Sequence, residues 1–153
     1  MIKRIKIILV ITWMIVIFMF SNQVATESTK LTEDLTNNVI DVVDKDINEE
    51  GRNNIIEYIF VPLRKSAHFF VYFILGILIY SLLIEHKFKH KFMLTLILVL
   101  LYAITDEFHQ TFIPGRSAAI KDVFIDLSGG MVGTSLIILF YKIKNKIKLR
   151  NAM

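Results

Sequence analysis

Polar and ionisable residues recur at helical spacing in an otherwise apolar chain. Arg64, His68, Tyr72 and Gly76 stand at every fourth position, with Lys65 beside the first. Tyr102, Asp106 and Gln110 repeat that spacing, with Glu107 and His109 alongside. Asp122, Asp126 and Gly130 repeat it again, followed by Gly133. Residues four apart share a helix face, so each set forms a polar stripe. Arg64, Lys65, Arg116 and Lys121 are phosphate-binding types, arginine through bidentate contacts. Asp106, Glu107 and Gln110 suit the orientation of those bases or the binding of ligand hydroxyls. His68 is a candidate acid or nucleophile for phosphoester hydrolysis, with Asp106 or Glu107 orienting it. His68 and Glu107 are therefore weak catalytic candidates only, because nucleophile, base and electrophile cannot all be named. The chain has no cysteine, which excludes thiolate nucleophiles, disulfides and Cys-ligated zinc. A metal set of His68, Glu107 and His109 is weak, because His109 points about 100° away from Gln110 and no H-E-x-x-H spacing occurs. No metal and no other cofactor is expected.

These stripes must be carried by membrane helices. Hydrophobic residues make up 54% of the 153 and gather in four blocks. A span needs about 20 residues. The blocks predict a single all-α domain over 1–153, with spans at about 5–21, 64–84, 92–110 and 122–141. The third block is short. It reaches span length only if its helix continues through "DEFHQTF", carrying Asp106 and Glu107 into the outer part of the membrane. The first block has Lys3, Arg4 and Lys6 at its start, as a signal peptide would. Cleavage after Ala25 would leave Gln23 where a small residue is wanted, so an uncleaved span is the better reading.

Charge sets the expected orientation. Lys3, Arg4, Lys6, Lys87, Lys89, Lys91 and the tail bases Lys142, Lys144, Lys146, Lys148 and Arg150 fall on one side, most of the 18 bases. Glu85 alone of the 14 acids lies with them. The positive-inside rule then places both termini in the cytoplasm and loops 22–63 and 106–122 outside. In the first outer loop, Leu31, Leu35, Val39 and Val42 keep helical spacing, which predicts short amphipathic helices. The basic tail suits anionic inner-leaflet phosphates. Juxtamembrane bases account for the charge, so nucleic acid is not an expected partner; the lipid bilayer is.

Two of these stretches carry a resemblance. "RKSAHFFVYFILG" (64–76) and "DEFHQTFIPGRSAAIKDVFIDLSGGMVG" (106–133) are similar to the VanZ-like membrane proteins. The matching positions are Arg64, Lys65, His68, Phe69, Tyr72, Leu75, Gly76, Asp106, Glu107, Gln110, Phe112, Pro114, Gly115, Arg116, Asp122, Asp126 and Gly129. "FSNQ" at 20–23 resembles the end of that family's first span. The resemblance covers all four spans and is weak in 24–60 and in the tail. It implies a multi-pass protein of a bacterial cell membrane, with a role in the envelope and a link to low-level teicoplanin resistance. It supplies no catalytic assignment.

Three readings of the polar set follow. In the first, Arg64, Lys65 and Arg116 pair with Asp106, Glu107, Asp122 and Asp126 and only hold the bundle together. In the second, Arg64, Lys65, His68, Tyr72, Asp106, Glu107, Gln110, Arg116, Asp122 and Asp126 form an outward-facing site for an anionic lipid headgroup or an undecaprenyl-linked cell-wall precursor. In the third, the protein is a membrane-embedded hydrolase of lipid-linked phosphate. Gly76, Gly129 and Gly133 are expected to serve close helix packing. Oligomeric state is not legible.

Overall fold

A computed structural model describes residues 2–22, 34, 51, 54, 58, 61–113 and 119–151, and for Ile2, Val61 and Arg64 the backbone alone. Among the described residues the regular structure is all helical, built on α1 (Ile2–Ser21), α2 (Val61–Leu83), α3 (Lys91–Gln110) and α4 (Ile120–Arg150). Each is long and apolar enough to cross a membrane. The amphipathic helices expected in the first outer loop, and the Pro114-Gly115 turn with Arg116, lie outside the described residues.

Most large apolar side chains point outward. Ile8, Ile15, Met19, Leu101, Phe108, Phe124 and Phe140 are all exposed. In water such a surface would aggregate; in a bilayer it is the lipid contact. The inward residues repeat at helical spacing. Tyr72, Leu75, Ile79 and Leu83 form the buried stripe of α2. Thr95, Val99, Ala103, Asp106, Glu107 and Gln110 form that of α3. The α3 helix runs unbroken through Asp106 and Glu107, the extension that a short apolar block required. The α4 helix runs past Tyr141 to Arg150. At 1.5 Å per residue it is about 45 Å long, so its basic end projects beyond a hydrocarbon layer of about 30 Å.

Cross-helix contacts fix the helix directions. Trp13 Nε1 donates to the Val71 carbonyl at 2.8 Å, and Lys6 Nζ to that of Ser81 at 2.9 Å, so α1 and α2 are antiparallel. Tyr102 Oη donates to the Met14 carbonyl at 2.6 Å, beside α1 in parallel. The α2 and α4 helices run parallel and in backbone contact. A Cβ on Gly129 would stand 2.2 Å from the Phe69 carbonyl oxygen, and one on Gly133 2.0 Å from that of Phe73. Only glycine allows that approach. The α2–α4 contact is the most extensive in the bundle. With the helices alternating in direction, the start of α1 and the end of α4 lie at one end of the bundle and the polar stripes at the other.

Lys6 also donates to Glu85, just beyond α2, at the end opposite the stripes. That bond holds the Glu85 carboxyl below its ordinary 4.5. A depressed carboxylate stabilises the fold above its unfolded pKa and loses that contribution as pH falls through the folded one. Thermal unfolding of the detergent-solubilised protein is therefore expected to lose a small increment as pH falls below about 4.5. Glu85→Gln should remove that increment. An identical pH profile in the variant would count against the pairing.

Candidate functional site

The first turns of α2 and α4 and the last turns of α3 meet around a polar cluster. From α2, His68 Nδ1 lies 3.8 Å from Asp126 Oδ1 on α4. Asp126 sits one helical turn beyond Asp122, and its surface is wholly covered. Asp106 on α3 is 3% exposed. Tyr72, one turn below His68 and also wholly covered, has its hydroxyl buried near Asp106 without a hydrogen-bond partner among the described residues. Gln110 Nε2 donates a long 3.5 Å bond to Asp106 Oδ2. At the rim, Lys65 Nζ stands 3.4 Å from Asp122 Oδ1, both partly exposed. Glu107 is buried, and its Oε2 accepts the Ala119 backbone N–H at 2.9 Å, tying the end of α3 to the start of α4. Lys121 is exposed.

Two features set the chemistry of this cluster. The first is like charge: Asp106, Glu107 and Asp122 all act on Asp126. The second is incomplete hydrogen bonding. Asp106 Oδ1 and both oxygens of Asp126 have no hydrogen-bond partner among the described residues. Buried polar groups are normally satisfied, and leaving one unmade costs about 1–3 kcal/mol, more for a charge. His68 keeps 26% of its side chain exposed, so the cluster reaches the surface through it. The arrangement offers acceptors at its floor and Lys65 at its rim.

Of the sequence candidates, Lys65, His68, Tyr72, Asp106, Glu107, Gln110, Asp122 and Asp126 come together. The side chain of Arg64, and Arg116, lie outside the described residues. His109 turns the other way, with Nε2 3.3 Å from Asn22 Oδ1 and its ring stacked 4.6 Å from Phe18. It does not join His68 and Glu107, so the metal set that sequence spacing disfavoured is not assembled.

The VanZ/LLP1 family model matches residues 6–141, which is all four spans and every candidate residue. The chain belongs to the VanZ/LLP1 family. Comparison with curated proteins and with solved structures returns no match. As a VanZ/LLP1 chain with four apolar spans, it is a multi-pass membrane protein.

Some contacts of this VanZ/LLP1 bundle were not legible beforehand. Gly130 packs on Val99, where an added Cβ would lie 2.6 Å from the Val99 Cγ1. Gly76 meets the Gly130 carbonyl, so Gly130 serves two neighbours. Small residues at Gly130 and Thr134, four apart, carry a packing signal. Trp13, bonded across helices, carries none, whereas the buried Ser21 falls in the "FSNQ" stretch.

Proposed function

We propose that this VanZ/LLP1 protein resides in a bacterial cell membrane with both termini cytoplasmic. Its outward polar cluster binds the headgroup of an anionic lipid or an undecaprenyl-linked cell-wall precursor. Through that binding it contributes to tolerance of teicoplanin-type glycopeptides. One observation carries the reading: three helices converge on buried carboxylates whose oxygens are left without protein hydrogen bonds among the described residues. A network that served only to hold the bundle would satisfy its own members. Lys65 at the rim supplies a cation for phosphate, with Arg64 next to it in sequence and Arg116 in the segment that joins α3 to α4. Asp106, Gln110 and Asp126 supply partners for headgroup hydroxyl or amino groups. The positive-inside distribution supports the outward orientation.

In the hydrolase alternative Asp106 is the better placed of the two acids to orient His68, since one Glu107 oxygen holds the Ala119 N–H. Native mass spectrometry of the full chain with phosphatidylglycerol and, separately, undecaprenyl phosphate tests the proposal. A retained lipid adduct is expected, weakened at least tenfold when Lys65, Arg64 and Arg116 are all replaced by glutamine. Adducts indifferent to those changes would reject a headgroup site.

A further inference from the structure

We infer that His68, Asp106 and Asp126 form a binding site for a divalent transition-metal ion. Each residue offers one ligand atom, and these atoms lie within 4.8 Å of one another. They come from three different helices, α2, α3 and α4. The His68 Nδ1 to Asp126 Oδ1 separation is 3.8 Å. Around a tetrahedral ion with bonds of about 2.0–2.2 Å, neighbouring donors stand about 3.4 Å apart. The donors, up to 4.8 Å apart, must draw together to close on an ion.

A second observation points to a cation independently of the donor geometry. Asp126 is wholly covered, and neither of its oxygens has a hydrogen-bond partner among the described residues. Asp106, 3% exposed, leaves Oδ1 in the same condition. Bare carboxylate oxygens facing each other in a low-dielectric layer are costly, and buried charges are normally paired or bound to a metal. Lys65, the nearby cation among the described residues, is held at the rim by Asp122.

The donor set selects the class of ion. One imidazole and two carboxylates suit Zn²⁺, Mn²⁺ or Fe²⁺ better than Mg²⁺ or Ca²⁺, which take oxygen ligands. Three protein ligands leave at least one coordination position open. One neighbour fits a supporting role: Gln110 donates to Asp106 Oδ2. Such partners orient the ligands of a metal. An ion here would also turn an acidic floor into one that attracts a phosphate oxygen. That consequence alone rests on the headgroup reading; the metal site does not.

The test uses the tag-free full chain in mild detergent, stripped with chelator and then loaded with Zn²⁺ or Mn²⁺ alone, without lipid. Bound metal is read by elemental mass spectrometry and stability by thermal unfolding. The expected result is one ion per chain and a raised Tm. His68→Ala and Asp126→Asn should each weaken binding at least tenfold, whereas His109→Ala should leave it unchanged. Wild-type protein that retains no ion, or stoichiometric binding that survives both His68→Ala and Asp126→Asn, would overturn the inference. Loss of the ion in His109→Ala would overturn it too. The wild-type stoichiometry decides the matter even where a variant fails to fold. Lipid adducts without metal would reject this site and leave the headgroup proposal standing; metal without lipid adducts would do the reverse.

Discussion

Gly133→Leu is expected to remove folded protein from the membrane fraction. At this position even a Cβ would stand 2.0 Å from the Phe73 carbonyl oxygen. That oxygen belongs to the α2 backbone, so no rotamer change relieves the clash. The helices must separate, and with them the pairing of His68 with Asp126, which lies two turns away on the same α2–α4 contact. Gly133→Ala should already destabilise by about 1–3 kcal/mol, the usual range for overpacking. The neighbouring exposed Val132→Leu should be neutral, because its side chain faces lipid. Membrane-fraction blots and thermal unfolding in detergent read all three. Normal accumulation of Gly133→Leu would show that α2 and α4 do not pack backbone to backbone.

Asp126→Asn should have the opposite profile: a more stable apo-protein that has lost its function. The acid is wholly covered, and Asp106, Glu107 and Asp122 oppose its charge. Its stabilising contact among the described residues is His68 at 3.8 Å, a partly exposed partner. At 3.8 Å the His68 contact is too long to be a hydrogen bond, so little is lost with it, whereas an amide of the same shape escapes the opposition of three acids and the cost of a buried group left unmade, about 1–3 kcal/mol. The second effect wins, so the apo-variant should unfold at a higher temperature than wild type. On the proposed reading, a strain carrying this variant should tolerate teicoplanin no better than a strain lacking the protein. A destabilised but functional Asp126→Asn would show instead that the carboxylate serves the fold.

Stability gained at the expense of function is the expected signature of a site with unspent polar groups. A purely structural network behaves otherwise, because each member removed leaves a partner stranded. Gln110→Ala offers a milder comparison. It removes the long bond to Asp106 Oδ2 without touching the charge balance.

Much of this protein is legible from its residues alone. The helical class and the four spans follow from apolar blocks of spanning length, because a bilayer forces every backbone group into internal hydrogen bonds. The continuation of α3 through Asp106 and Glu107 follows from the same length requirement. Family membership is visible in "RKSAHFFVYFILG" and the motif beginning "DEFHQTF". The polar stripes were also readable, since spacing of four places residues on one helix face. Spacing within a helix says nothing, however, about which stripes face each other. Tertiary packing decided that His68 meets Asp126 while Glu107 turns to the Ala119 N–H. It also decided that His109 leaves the cluster for Phe18 and Asn22. The physical reason lies in the glycines: with Gly129 and Gly133 seated on the α2 backbone, the rotation of α4 about its axis has one solution. That rotation carries Asp126 inward beside His68 and Asp106, a meeting of three helices that no local pattern encodes.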